Sequence, residues 1–147
     1  MRTISRPIDI LIVEDDPGDE LLIVEALEEH GVANARHVVR DGQQALDFLY
    51  RAGEYHGVPR PGLVLLDLNL PKYTGHQVLE RVKQDPDLCD IPIVMLTTSS
   101  SEDDVLGSYR RHANAYVTKP VDLTQFLDAI KKIDDFFVTI VALPEHH

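Results

Sequence analysis

Short apolar runs alternate along the chain with segments of helical spacing. Residues 8–13 form a compact apolar run that stops at Glu14-Asp15-Asp16, the pattern of a strand buried on both faces. Pro17 suits the first turn of a helix, where its missing N–H is harmless. Leu21, Leu22, Val24, Ala26 and Leu27 then mark the expected apolar side, with Glu25, Glu28 and Glu29 in water and Gly31 as the stop. Ala35–Val39 reads as a second, shorter strand. Asp41-Gly42 turns the chain, and Ala45, Leu46 and Leu49 lay a stripe along a second helix.

The segment 53–62 contains two prolines and three glycines and is expected to be loop. Residues 63–66 read as strand three and lead through Asp67 into Asn69-Leu70-Pro71. Val78, Leu79 and Val82 line a third helix that Asp85-Pro86 breaks. Residues 91–96 supply strand four, 102–112 a helix anchored only by Val105, Leu106 and Tyr109, and Ala115–Thr118 a fifth strand. A last helix begins after Asp122, a candidate cap, and carries Phe126, Leu127, Ile130 and Ile133.

Five strands alternating with five helices predict an α/β fold with a parallel sheet covered on both faces. Right-handed crossovers favour a doubly wound, flavodoxin-like sheet in the order 2-1-3-4-5. A barrel would need more units than this chain contains. With 147 residues and no internal repeat or low-complexity linker, one domain over 1–147 is expected, with 137–147 as a C-terminal extension of the last helix.

In that topology the polar residues ending the strands converge at the carboxyl edge, where open α/β sheets place their chemistry. Glu14 and Asp15 leave the first strand, Asp67 the third, Thr97 the fourth, and Lys119 follows the fifth. Glu14, Asp15 and Asp67, with the Asn69 backbone carbonyl, suit Mg²⁺, which takes hard oxygen ligands and retains several waters. Asp67 is then the best placed nucleophile toward phosphorus, once a cation screens it from the phosphate charge. Lys119 can bind phosphoryl charge, and Thr97 can donate a hydrogen bond to a phosphoryl oxygen.

Each residue also has a plain structural reading. Asp16 can simply cap a helix, Thr97 begins a Thr/Ser run typical of loops, and Lys119-Pro120 means little alone. Four strand ends bearing complementary chemistry are harder to attribute to packing.

A formal net charge of -11, from 25 acids against 14 Lys and Arg, disfavours nucleic acid and anionic membranes as partners. The single cysteine, Cys89, excludes an intrachain disulfide and a cysteine metal site and reads as an inert residue near a helix end. No apolar run is long enough for a signal peptide or a membrane span, so a cytoplasmic location is expected.

The motifs resemble the receiver domains of bacterial two-component response regulators. Ile12-Val13-Glu14-Asp15 looks like the acidic pair after the first strand. Residues Leu65-Leu66-Asp67-Leu68-Asn69-Leu70-Pro71, followed by Gly75, look like the phosphoacceptor segment. Thr97 matches the switch hydroxyl, Tyr116 the switch aromatic and Lys119-Pro120 the basic residue with its proline. The resemblance implies phosphorylation of Asp67, Mg²⁺ held by Glu14, Asp15, Asp67 and the Asn69 carbonyl, and phosphoryl contacts from Thr97 and Lys119. It also implies that Tyr116 turns inward on activation, and that Asn69 and Ser99 influence phosphate lifetime. The acidic pair is Glu-Asp where the family commonly has Asp-Asp, so the extra methylene of Glu14 makes Asp15 the nearer expected ligand.

A narrower resemblance is to single-domain regulators that act with bacterial phytochromes. It rests on the run from Asp41, the 53–61 loop, the 67–72 segment, residues 91–99 and the ending 136–144. It implies a light-sensing histidine kinase, a bacteriophytochrome, as phosphodonor. It also implies a homodimer through the face made by the fourth helix, fifth strand and fifth helix. The tail adds an apolar stripe of Phe126, Ile130, Ile133, Phe137 and Ile140, whose exposure would favour such association. A tail folded back on its own domain is the alternative. Too little chain follows the fifth helix for a helix-turn-helix, so the expected output is protein contact or phosphoryl relay rather than catalytic turnover. Two other readings are a Mg²⁺-dependent phosphohydrolase with an aspartyl intermediate and a non-phosphorylated interaction scaffold. Against the first, Asn69 stands where such enzymes usually place a second acid.

Overall fold

The computed structural model describes residues 9–29, 35–97 and 115–118. Their elements are β1 (Asp9–Val13), α1 (Pro17–Glu29), β2 (Ala35–Val39), α2 (Gly42–Tyr50), β3 (Leu63–Asp67), α3 (Gly75–Gln84), β4 (Ile93–Thr97) and β5 (Ala115–Thr118). All strand pairs are parallel and the sheet order is β2-β1-β3-β4-β5, as the alternating pattern predicts. The helices expected over 102–112 and after Asp122 lie outside the described residues.

The central strands are continuous apolar runs because both of their faces are covered. Residues 10–13, 63–66 and 93–96 are all buried. Register aligns Val13 with Leu66, Asp67 with Leu96, and Thr97 with Thr118. The carboxyl ends of four strands therefore finish within a residue or two of one another.

Helix starts are set by local chemistry. The Asp41 Oδ1 accepts from the Gln44 N–H at 2.7 Å and caps α2. Thr74 and Gln77 form a reciprocal capping box on α3, at 3.2 Å and 2.9 Å. Val78, Leu79 and Val82 are the buried stripe of α3, and Ala45, Leu46 and Leu49 that of α2, joined there by Phe48.

Three expectations need correction. On α1, Leu21 and Leu22 are 57% and 46% exposed, whereas Ile23 is 1% exposed and faces the core. The run Leu21-Leu22-Ile23-Val24 spans a full helical turn, so periodicity alone cannot choose its inner face. Strand four begins at Ile93, because the Ile91 N–H donates to the Leu88 carbonyl at 3.0 Å and closes the preceding turn. Within the expected 53–62 loop, Gly53–Tyr55 forms a short 3₁₀ turn. It brings the Tyr55 ring to 5.6 Å from that of Phe48, extending the core under the loop.

Candidate metal and phosphoacceptor site

Asp67 is the last residue of β3 and sits at the centre of the site. Its strand is held on one side by β1 and on the other by β4, where the Leu68 N–H donates to the Leu96 carbonyl at 2.8 Å. As the chain turns out of the sheet, the Asn69 N–H donates to Asp67 Oδ1 at 3.1 Å. That bond orients the carboxylate. The side chain is buried, with 4% exposure.

Glu14 follows β1 directly. Its N–H donates to the Val39 carbonyl at 3.0 Å, continuing the β1–β2 ladder one step past the strand. Glu14 is 0% exposed, and its Oε2 accepts from the Asp16 N–H at 3.3 Å. Asp15 is exposed beside it. One carboxylate oxygen from each of Glu14, Asp15 and Asp67 lies within 4.8 Å of the others. The longer Glu14 side chain thus joins the cluster, as its place beside Asp15 predicts.

At that spacing each pair of like charges repels by on the order of 3 kcal/mol for an effective dielectric of about 20. Two of the three groups are shielded from water. A hard dication relieves this repulsion, and an all-oxygen donor set with no His or Cys suits Mg²⁺, Mn²⁺ or Ca²⁺ better than a softer metal. The donor set fits the ion. Asp16 stays apart from the trio: its Oδ2 accepts from the Asp19 N–H at 3.2 Å and caps α1, as its plain reading holds.

The remaining sequence-predicted residues divide in two groups. Thr97 and Tyr116 are placed by their backbones, Thr97 ending β4 in register with Thr118 and Tyr116 in register with Met95. The carboxyl end of β4 thus lies beside that of β3, with β5 next in the sheet. Lys119, Ser99, Phe126, Ile130, Ile133, Phe137 and Ile140 lie outside the described residues.

Sequence reasoning named Gly75 and the run from Asp41 only as parts of motifs and did not show how they support the site. Gly75 at the start of α3 lies against the Asp67 and Leu68 backbone, and Gly42 at the start of α2 lies against Tyr73. Asp41-Gly42 was legible only as a turn. Its contact with a loop thirty residues later has no local signal.

Residues 10–131 match the model of the response regulator receiver domain. The chain belongs to the response regulator receiver domain family. Its sequence is 46% identical over 140 residues to the response regulator Rcp1 of Synechocystis sp. (strain ATCC 27184 / PCC 6803 / Kazusa), covering 95% of each chain. The crystal structure of the Mn²⁺-bound form of Rcp1 has a TM-score of 0.75 at 45% identity, covering 95% of this chain and 100% of that one. The bacteriophytochrome response regulator AtBRR has a TM-score of 0.84 at 43% identity, with coverage of 97% and 100%. The phosphorylated cyanobacterial phytochrome response regulator RcpA has a TM-score of 0.77 at 44% identity, with coverage of 95% and 100%. Among the described residues, no helix is long and apolar enough to cross a membrane.

Proposed function

We propose that this chain is a single-domain two-component response regulator that stores a phosphoryl group on Asp67 and signals by protein contact. The observation that carries this is the cluster itself. A buried, centrally placed Asp67 carboxylate has Glu14 and Asp15 oxygens within 4.8 Å, an arrangement suited to a dication and to in-line attack on phosphorus.

Glu14, Asp15, Asp67 and the Asn69 carbonyl would hold Mg²⁺, which supplies charge neutralisation between carboxylate and phosphate. An Asp67 oxygen attacks the phosphorus of a kinase phosphohistidine. The P–N bond breaks, its electron pair returns to the imidazole, and the ring nitrogen takes up a proton. Lys119 and Thr97 receive the phosphoryl oxygens, and Tyr116 follows Thr97 as the switch. Asn69 and Ser99 would influence the lifetime of the acyl phosphate. Phosphorylation biases an existing two-state equilibrium.

The phosphodonor is a sensor histidine kinase, and the likeness to regulators named for phytochromes supports a bacteriophytochrome. We place the protein in the cytoplasm as one domain over 1–147, with 137–147 extending the last helix. Its dimer would use the fourth helix, fifth strand and fifth helix with the Phe126, Ile130, Ile133, Phe137 and Ile140 stripe. Sedimentation velocity at micromolar concentration tests that dimer: a monomer with and without residues 138–144 rejects it.

A small-molecule phosphodonor with Mg²⁺, followed by intact mass, tests the central reading. One phosphate adduct is expected, lost in Asp67→Asn and prevented by chelation. Repeated turnover of simple phosphoesters would instead favour the phosphohydrolase reading, which Asn69 disfavours because an amide cannot act as general acid.

A further inference from the structure

The loop between β3 and α3 carries Asn69, and its middle is held by a different part of the molecule. The Gly42 N–H, at the start of α2, donates to the Pro71 carbonyl at 3.3 Å. That same carbonyl accepts from the Tyr73 N–H at 2.9 Å, closing a tight turn around Lys72. Lys72 has φ +69°, in the left-handed region that a lysine enters only against steric resistance. Its Nζ stands 3.6 Å from Asp41 Oδ2, while Asp41 Oδ1 caps α2. One carboxylate thus starts a helix and grips the loop.

The fit at Gly42 is equally close. A Cβ there would lie 2.4 Å from the Tyr73 carbonyl oxygen and 2.5 Å from the Tyr73 Cβ, so the loop can pack on α2 only because residue 42 is glycine. On its far side Tyr73 lies beneath the Arg81 guanidinium, 5.5 Å from the ring centre, which fixes the loop against α3.

We propose that Asp41, Gly42 and Lys72 are positioning residues for the divalent-cation site, clasping the β3–α3 loop so that the Asn69 carbonyl is held ready for the metal. This rests on the reading of Glu14, Asp15, Asp67 and Asn69 as the metal site. The clasp residues touch neither metal nor phosphate. They act by removing conformational freedom from a loop that would otherwise have to be ordered on binding.

The charges make this testable against a simple field effect. Removing a positive charge near an acidic site should tighten cation binding, and removing a negative one should weaken it. A clasp predicts that both substitutions weaken it. Asn at position 72 accepts a positive φ at least as readily as Lys does, and Asn at position 41 still caps a helix. Lys72→Asn and Asp41→Asn therefore break the ion pair with little other change.

The experiment is Mg²⁺ titration calorimetry on the full chain, with amide hydrogen exchange of residues 68–74 in the metal-free protein. Each single variant is expected to raise the Mg²⁺ dissociation constant about two- to fivefold, the range of a surface ion pair. The double variant is expected to be no worse than either single one. Exchange in 68–74 should quicken while the thermal midpoint stays near wild type, and Lys72→Arg should restore affinity. Gly42→Ala should weaken binding further, and if it fails to fold, the two asparagine variants decide. Tighter binding by Lys72→Asn, or unchanged affinity in both, overturns the clasp while leaving the metal site standing. No Mg²⁺ uptake by the wild type overturns both.

Discussion

Gly75 lies so close to Asp67 that a Cβ on it would stand 2.4 Å from the Asp67 carbonyl oxygen and 2.7 Å from the Leu68 Cα. The Gly75 N–H also donates to the Leu68 carbonyl at 2.9 Å. Both obstacles are backbone of the segment that presents Asp67, the proposed phosphoacceptor, so neither can rotate away. Gly75→Ala is expected to cost about 1–3 kcal/mol, as other overpacking substitutions do, and to slow phosphorylation by displacing Asp67. Urea unfolding and the rate of adduct formation measure the two effects.

The acidic cluster should make the metal-free protein less stable than it could be. The substitution Glu14→Gln removes a buried carboxyl group from a trio held within 4.8 Å. Without Mg²⁺ that variant is expected to be more stable than wild type by about 1 kcal/mol, a fraction of the pairwise repulsion at an effective dielectric of about 20. Mg²⁺ at about a hundred times its dissociation constant should add about 2.7 kcal/mol to the wild type, and much less to the variant. Denaturant midpoints with and without the ion check both statements, and a variant less stable in both conditions would reject them.

Thr74 ends the β3–α3 loop and begins α3 through a capping box with Gln77. Thr74→Ala should cost about 1 kcal/mol, and Thr74→Ser close to nothing, since serine caps equally well. Chemical denaturation of the three proteins side by side is sufficient.

Lys83 gives the protein an alkaline signature. Its Nζ donates to the Cys89 and Ile91 carbonyls at 2.9 Å and 2.8 Å, and burial lowers its pKa from 10.5 despite the opposing influence of Cys89 and Asp90. The unfolded chain keeps this proton up to about 10.5 while the folded one releases it sooner. Between those two points the unfolded state binds more protons, so stability from this group rises with pH. Tyr55 works oppositely above 10.0, its phenol being raised by burial and then by Glu54, Asp41 and Asp47. The comparison is therefore wild type minus Lys83→Met. At neutral pH the variant should be less stable by about 1–2 kcal/mol through its unpaired carbonyls, and the gap should widen as pH climbs toward about 10.5. A gap that narrows would contradict the assignment.

Much of the site was legible because strand ends are local features. The run before Asp67, the acids after Val13 and the hydroxyl of Thr97 are each visible beside the apolar stretch that carries them. The 2-1-3-4-5 order followed from handedness rules and agrees with the observed sheet. The inner face of α1 was not legible, because four consecutive apolar side chains leave no polar gap to orient the helix. Sequence reasoning grouped Glu14 with Asp15 and Asp67, but only the structure shows that Glu14 is buried there while Asp15 is exposed. The reach of a side chain depends on where its backbone stops relative to a neighbouring strand.

The amino-acid order alone determined the alternation of elements, the family, and which polar groups end the apolar runs, since each is encoded by residues close together in the chain. Tertiary structure alone decided the spacing of the three carboxylates, the choice of Ile23 over Leu21 and Leu22, and the seating of Gly42 on Tyr73 and of Gly75 on Asp67. Those features are distances between segments brought together only by packing. Close packing resolves differences of a single methylene, which no local pattern of polar and apolar residues records.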